Sequence, residues 1–215
     1  MLFDAVIFDF GGVFTPSPLV LFESYEISRG LPLRFIGQVI KSNHLENAWA
    51  CYERGQIDLA EFDQLFAAES AALGERVPGR DVVELLSFSI RHDMVAALRR
   101  VKGRGIRTGC ITNNLPSIDW ATMMSGSGDA HDVEAIFSEF DAVLESSKIG
   151  LRKPDPAIYS LMCERLAVDP HRCIFMDDLG INLKPARNMG MTTIKVPLDD
   201  HAPAIEAMEK LLDSN

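Results

Sequence analysis

The chain has 215 residues, a formal net charge of −10 at pH 7 and a hydrophobic content of 47%. A chain of this length can form one α/β domain with an insert or two small domains, and it can bury a core without disulfide staples. The excess of acidic residues argues against nucleic acids and anionic membranes as partners. It remains compatible with a small anionic substrate, because a few local cations can outweigh a distant net charge.

The cysteines are scattered, with no Cys-x-x-Cys pair among them: Cys51, Cys110, Cys163 and Cys173. This pattern fits a reducing compartment, and no apolar run approaches the length needed to span a membrane. We therefore expect a cytoplasmic protein with no membrane partner and no nucleic-acid partner. The sequence leaves open whether the chain forms a homo-oligomer.

The first predicted element is a short apolar strand, Ala5 to Phe8, typical of a parallel strand that is buried on both faces. The strand leads into Asp9 and then into the pair Gly11-Gly12. A buried carboxylate is costly without a partner such as a metal ion, and glycines permit a turn whose N–H groups face an anion. Ligands bind at the carboxyl ends of parallel strands, so this turn is a candidate site. A plain strand ended by an Asp-x-Gly-Gly turn is the alternative.

Residues 16–90 are helical in pattern and contain no strand-like run. Asp58 is a predicted N-cap, with Glu61 three residues on, at the start of an amphipathic helix. The apolar positions of this helix are Phe62, Leu65, Phe66 and Leu73. A parallel crossover needs only about a dozen residues. We therefore predict that this longer segment is a helical cap inserted beside the site.

Two roles are open for the large aromatic side chains of the cap segment: Phe22, Tyr25, Phe35, Trp49 and Tyr52. They can line the face of the cap that selects a substrate, or they can pack the cap helices against one another. Packing is favoured for most of them, because a large ring contributes most of its stabilising energy when it is buried.

From residue 92 onwards, strands and helices alternate. The predicted strands span residues 106–111, 140–144, 173–176 and 192–196. Residues 125–129 are predicted to form an exposed loop. Alternating strands and helices predict an α/β fold with a parallel sheet and right-handed crossovers. Residues 1–15 and 91–215 are predicted to form the core, and residues 16–90 the cap.

Polar residues follow the predicted strands or open the helices behind them: Asp9, Thr112, Asn113, Lys153 and the pair Asp177-Asp178. In a parallel sheet these positions meet at one edge. Two or three carboxylates can hold a hard cation such as Mg²⁺, and the neutral and cationic donors suit a tetrahedral dianion beside it. These are the groups that phosphoryl transfer needs, and Asp9 would be the nucleophile.

Each signal also has a purely structural alternative. Lys153 can be a solvated lysine at a helix entry, and Thr112 can be a strand-end hydroxyl that bonds to the backbone. The pair Asp177-Asp178 can cap the following helix. The combination of all these signals in this order favours the functional interpretation.

In order and placement, these motifs resemble those of haloacid dehalogenase-superfamily hydrolases with a helical cap inserted after the first motif. The motifs that carry the resemblance are Asp9-Phe-Gly-Gly-Val13, Thr112, Lys153 in Arg-Lys-Pro-Asp-Pro, and Asp177-Asp178 with Asn182. Residues 175–191 are most similar to the N-terminal phosphatase domain of soluble epoxide hydrolases. They are also similar to the domain fused to the N-terminus of an acyl-CoA dehydrogenase family.

The resemblance implies a Rossmann-like parallel sheet with an α-helical cap that closes over Asp9. It also implies a Mg²⁺-dependent phosphatase of small phosphate monoesters, with Asp9 as the residue that forms an aspartyl-phosphate and Lys153 as the second catalytic residue. The implied metal site consists of Asp9, Asp178, the backbone carbonyl of Gly11 and, through water, Asp177. The implied phosphate site consists of Gly11, Gly12, Thr112, Asn113 and Lys153.

One position departs from the family pattern. Family phosphatases usually carry an aspartate two residues after the nucleophile, as general acid and base, and here that position is Gly11. Two other functions therefore stay open. One is a hydrolytic 2-haloacid dehalogenase, which attacks carbon and needs no such acid, although the pair Asp177-Asp178 argues against it. The other is a non-catalytic binding module.

Overall fold

The computed structural model describes residues 2–86, 89–116 and 130–214. The loop predicted at residues 125–129 lies outside these ranges. The strands are β1 (Ala5–Phe8), β2 (Arg107–Thr112), β3 (Ala142–Glu145), β4 (Cys173–Asp177) and β5 (Thr192–Lys195). The α-helices of the described residues are α1 (Pro18–Arg29), α2 (Phe35–Lys41), α3 (Ala48–Glu53), α4 (Leu59–Ala72), α5 (Gly79–Glu84), α6 (His92–Gly103), α7 (Ala130–Glu139), α8 (Ser146–Ile149), α9 (Pro156–Leu166), α10 (Gly180–Asn188) and α11 (Ala202–Asp213).

The strands form one parallel sheet in the order β3-β2-β1-β4-β5, so the first strand of the chain lies in the middle. Phe8 at the end of β1 pairs with Cys110 of β2 and with Met176 of β4. The predicted α/β fold with a parallel sheet is therefore confirmed. The second and third strands begin at Arg107 and Ala142, one and two residues later than predicted.

The sheet is buried on both faces, as the apolar sequence of β1 predicts. Val6 and Phe8 pack with residues of α6, α7 and α11 on one face, while Ala5 and Ile7 pack with residues of α9 and α10 on the other. All four side chains are fully buried. Burying a large apolar side chain contributes roughly 1.5–3 kcal/mol to the free energy of folding. Packing of β1 therefore fixes the position of the polar residues that follow it.

Helices α1 to α5 form a cap with its own hydrophobic cluster. The aromatic side chains considered for substrate selection are in that cluster: Phe22, Phe35, Trp49 and Tyr52 are buried, and Tyr25 packs against them. The Tyr25 hydroxyl also donates a hydrogen bond of 2.7 Å to Asp81. Packing, rather than substrate selection, is therefore their role in this structure.

The predicted start of α4 is confirmed, because the Asp58 carboxylate accepts a hydrogen bond from the Glu61 N–H. The predicted apolar face of α4 is only partly confirmed. Phe62 and Phe66 are fully buried, whereas Leu65 and Leu73 are exposed. The Phe62 and Phe66 rings contact each other inside the cap, with their centroids 5.4 Å apart, whereas Leu73 follows the last residue of α4.

The structure places the polar ends of β1 and β4 beside one another and the cap next to them. The exact boundaries of core and cap, residues 1–15 with 91–215 and residues 16–90, remain a prediction. Across the described ranges, every helix is too short or too polar to cross a bilayer.

Candidate active site

Three carboxylates meet at the carboxyl ends of β1 and β4. The Asp9 N–H donates to the Met176 carbonyl at 2.8 Å, which continues the pairing of the two strands past their ends. Asp9 therefore lies beside Asp177 and Asp178. One carboxylate oxygen from each aspartate lies within 4.8 Å of the others, and all three residues are buried.

Lys153 lies between two of these carboxylates. Its Nζ is 2.7 Å from Asp9 Oδ1 and 2.8 Å from Asp177 Oδ2. The lysine is only 1% exposed, and its ammonium also lies 5.8 Å from the centre of the Phe175 ring. Sequence alone left open a solvated lysine, but in this structure Lys153 is buried and paired with two acids.

Burial and crowding shift the pKa values of the site. Burial, together with the neighbouring acids, raises the pKa of Asp9 well above its ordinary value even though Lys153 opposes the shift. Burial and Asp177 raise the pKa of Asp178 to about 6. Burial disfavours the charge on Lys153, but the two acids outweigh it and raise the pKa of the lysine. One ammonium is thus not enough to neutralise three carboxylates, and the site favours a further cation.

The donor set fits a divalent cation such as Mg²⁺, which prefers carboxylate and carbonyl oxygens. Besides the lysine, the Asp177 carboxylate accepts hydrogen bonds from the Leu179 N–H at 2.8 Å and from the Asn182 amide at 3.1 Å. Among the residues that the structure describes, Asp178 has fewer partners, and the Ser17 hydroxyl is one of them. Asp178 and Asp9 are therefore better placed than Asp177 to offer an oxygen directly to a metal.

The two glycines of the turn have different roles. Gly12 has a φ of 78°, and a Cβ there would lie 2.4 Å from the Asp178 carboxylate. Gly11 lies outside the left-handed region, and a Cβ there would meet no atom within 4 Å. The Gly12 carbonyl accepts a hydrogen bond of 2.9 Å from Arg91, which also donates to the Leu198 carbonyl. The structure therefore requires a glycine at position 12, whereas position 11 has room for a side chain.

Thr112 is the last residue of β2, the strand next to β1, and Asn113 follows it. Thr112 is buried at the end of its strand. The Asn113 amide donates to the Lys153 carbonyl at 2.9 Å, and its oxygen accepts from the Lys153 N–H at 2.8 Å. The side chain of Asn113 is thus engaged in holding the backbone of the lysine. A phosphate contact from Asn113 would have to come from its backbone N–H.

A salt bridge that the sequence did not predict joins the cap to the core. Glu53 of α3 pairs with Arg152 at 2.5 Å, and we call this pair the cap latch. The other Glu53 oxygen accepts from the Trp49 indole at 2.8 Å, and Arg152 also donates to the His44 carbonyl at 2.8 Å. Both charged side chains are nearly buried, with 8% and 12% exposed.

The cap latch lies directly beside Lys153 in sequence. Arg152 precedes Lys153, and a Cβ at Gly55 would lie 2.5 Å from the Ser147 carbonyl, so the chain after α3 lies tightly against α8. The available sequence signal for this salt bridge was Glu53, a single charged residue in the otherwise apolar α3. Its partner is 99 residues away, so the pairing becomes visible only in the fold.

We expect Gly12→Ala to damage the site and Gly11→Ala to leave it intact. An alanine at position 12 must adopt a left-handed backbone and displace the Asp178 carboxylate, so it should destabilise the protein by at least about 1–2 kcal/mol and weaken Mg²⁺ binding. An alanine at position 11 meets neither obstacle. Urea unfolding in the presence of a chelator measures the loss of stability, and calorimetric titration with Mg²⁺ measures the loss of metal affinity. Equal stability and equal Mg²⁺ affinity in the two variants would contradict the different roles assigned to the two glycines.

The cap latch is expected to contribute strongly to stability. Arg152→Met leaves the buried Glu53 carboxylate without its cation and should cost about 3–5 kcal/mol. The added change Glu53→Gln should recover part of that loss, because it removes the unpaired charge. The exposed pair of Arg29 and Asp81 provides the control, since Arg29→Met should cost less than about 1 kcal/mol. Denaturant unfolding of the four proteins tests this, and similar losses for the two arginine variants would refute it.

Comparison with known proteins agrees with this arrangement. Residues 3–190 match the family described as haloacid dehalogenase-like hydrolase. The chain is 32% identical over 216 residues to acyl-CoA dehydrogenase family member 10 of Mus musculus, covering 97% of this chain and 19% of that protein. It is 30% identical over 220 residues to bifunctional epoxide hydrolase 2 of Mus musculus, covering 95% of this chain and 38% of that protein. The chain thus spans much less than half the length of either relative.

A solved structure shows the same fold. The haloacid dehalogenase family enzyme from Bacteroides thetaiotaomicron, crystallised with magnesium and inorganic phosphate, aligns with a TM-score of 0.63 and 19% identity. The alignment covers 92% of this chain and 96% of that one. At this identity the likeness concerns the fold alone, and the match to the family rests on the sequence. The resemblance inferred from the motifs is confirmed, and this chain belongs to the haloacid dehalogenase-like hydrolases.

Proposed function

We propose that the protein is a Mg²⁺-dependent phosphatase of small phosphate monoesters that acts through an aspartyl-phosphate on Asp9. The observation that carries the proposal is the buried group of three carboxylates around the Lys153 ammonium at the ends of β1 and β4. Such a group supplies both the carboxylate oxygens that a metal ion prefers and a cation that can bind a phosphate dianion. The related fold from Bacteroides thetaiotaomicron, crystallised with magnesium and inorganic phosphate, supports the same assignment.

In this proposal, a carboxylate oxygen of Asp9 attacks phosphorus, and the bond between phosphorus and the leaving oxygen breaks. The Lys153 ammonium, 2.7 Å from that carboxylate, stabilises the negative charge on the phosphoryl oxygens. Water then attacks the same phosphorus, and Asp9 and inorganic phosphate are released. Mg²⁺, held by Asp9, Asp178 and the Gly11 carbonyl, would neutralise charge on the phosphate.

The supporting residues keep the lysine in place. Asp177 binds its ammonium at 2.8 Å, and Asn113 holds its backbone from both sides. Neither residue needs to touch the substrate to affect the rate. We therefore assign Asp177 and Asn113 as positioning residues for Lys153, with Asp177 also able to reach the metal through water.

The metal and the nucleophile are tested together. Hydrolysis of para-nitrophenyl phosphate should require Mg²⁺ and disappear in excess chelator. Asp9→Asn preserves the shape of the side chain but removes the attacking charge, so turnover should fall to background. Thermal unfolding of this variant provides the control, because it should remain folded: the substitution removes one of three crowded acids.

Other outcomes point to the other functions. Substantial turnover by Asp9→Asn, or full turnover in chelator, would exclude the proposed mechanism. Chloride release from a 2-haloacid in chelator would instead favour the dehalogenase. Mg²⁺ binding without turnover of any phosphate ester or haloacid would favour a binding module.

The second test concerns the source of the proton that the leaving group needs. Gly11 has no proton to give, and a general acid typically contributes about a hundred- to ten-thousandfold. Aryl and acyl phosphates, whose leaving groups need little protonation, should therefore be hydrolysed far faster than alkyl phosphates. The measurement is kcat/KM across esters of graded leaving-group pKa, and equally high values across the series would mean that another residue supplies the proton.

Gly11→Asp should raise the hydrolysis of alkyl phosphates, because position 11 has room for a side chain and an unstrained backbone. The matched control is Gly11→Asn, which has nearly the same shape but no acidic proton. We expect the gain in the aspartate variant only. A similar gain in both variants would show that a change in the turn, and not proton donation, is responsible.

A further inference from the structure

A cavity of about 840 Å³ opens next to the carboxylate group, between the cap and the core. The cap contributes residues of α1 and α2, and the core contributes the chain after β4 and β5. Asp178 is part of its wall. A molecule whose phosphate lies at Asp9 and Asp178 can therefore extend into this cavity.

Part of the wall is apolar. Leu19 of α1, Leu179 at the start of α10 and Leu198 after β5 line the cavity and are 37%, 40% and 37% exposed. Single exposed leucines are common, but three from separate segments around one space form a surface of the kind that contacts a ligand.

The rest of the wall is mainly cationic. Arg34 and Lys41 at the two ends of α2 and Lys195 at the end of β5 line the cavity and are exposed. Within the described ranges, their side chains form no salt bridge. Apart from Asp178, the cavity wall has one carboxylate, Asp199. This excess of positive charge stands out in a chain with a formal net charge of −10.

The backbone at Arg34 is strained. Its φ of 66° is in the left-handed region, where glycine or asparagine fits with less strain than arginine. The buried Glu26 carboxylate holds this conformation, because it accepts hydrogen bonds from the Arg34 N–H at 2.6 Å and the Ile36 N–H at 2.8 Å. An arginine kept at a strained position, with its backbone held by a buried acid, points to a role for its side chain.

We propose that this cavity binds a second anionic group of the substrate, apart from the phosphate that is hydrolysed. Arg34, Lys41 and Lys195 would bind the anion, and the leucines would contact the apolar part of the molecule that joins the two groups. The inference rests on the proposed phosphatase function, because it takes the scissile phosphate to lie at Asp9. It assigns a substrate class: phosphate monoesters whose leaving group carries a carboxylate, sulfate or phosphate.

The test compares two probes with nearly the same leaving-group pKa: phenyl phosphate with a para carboxyethyl chain, and its primary amide. For the wild-type protein, the KM of the carboxylate probe should be at least about tenfold lower than the KM of the amide probe. A tenfold difference corresponds to the free energy of a few moderate ion pairs. In the double variant Arg34→Gln with Lys41→Gln, the ratio of the two KM values should fall towards one. Lys210→Gln, an exposed lysine of α11 outside the cavity, removes a charge as the control and should keep the ratio.

Equal KM values for the two probes in the wild-type protein would overturn the inference and leave the phosphatase function standing. The same holds if Lys210→Gln lowers the ratio as much as the double variant. Calorimetric binding of both probes to Asp9→Asn provides a readout without turnover. A preference for the carboxylate probe there, without hydrolysis by the wild-type protein, would refute the phosphatase function but keep the anion site. Equal affinities for the two probes there would count against the anion site.

Discussion

The candidate active site depends on one buried interaction, the ammonium of Lys153 between the carboxylates of Asp9 and Asp177. Three acids in so small a space would repel one another and resist burial. The lysine offsets part of that repulsion and favours the charged form of Asp9, the residue that is proposed to attack phosphorus. It does not offset all of it, as the raised pKa of Asp178 indicates. The unfavourable remainder is what a divalent cation would neutralise.

Much of the neighbouring structure serves to hold this lysine. Its backbone is fixed by the Asn113 side chain, and the residue before it, Arg152, is tied to Glu53 of the cap. The segment that presents the lysine to the core is thus the same segment that binds the cap. Movement of the cap away from the core would have to break the Glu53–Arg152 pair one residue from Lys153. The side chain that binds the cap and the side chain that binds the acids are therefore neighbours in the chain.

The sequence was sufficient for the fold and for the residues that meet at its centre. Apolar strands ending in Asp9 and Asp177 are local patterns, and the parallel topology brings their ends together without further information. The sequence was not sufficient to predict contacts that depend on the direction of side chains. Nothing local distinguishes Gly11 from Gly12, since the difference is a backbone angle and the distance to Asp178. The partner of Glu53 likewise depends on how the cap lies against the core.

In the proposed reaction, the cationic cavity would affect substrate binding, whereas the lack of an acid at Gly11 would affect protonation of the leaving group. A remote anionic group that binds equally in the ground and transition states lowers KM but leaves kcat unchanged, so it cannot replace a proton donor. The cavity, however, is built from both the cap, through Arg34, and the core, through Lys195. An anion that contacts both would favour the arrangement in which the cap lies against the core and the segment before Lys153 is held. Its binding energy would then favour the geometry in which the lysine is ready to stabilise the phosphoryl oxygens.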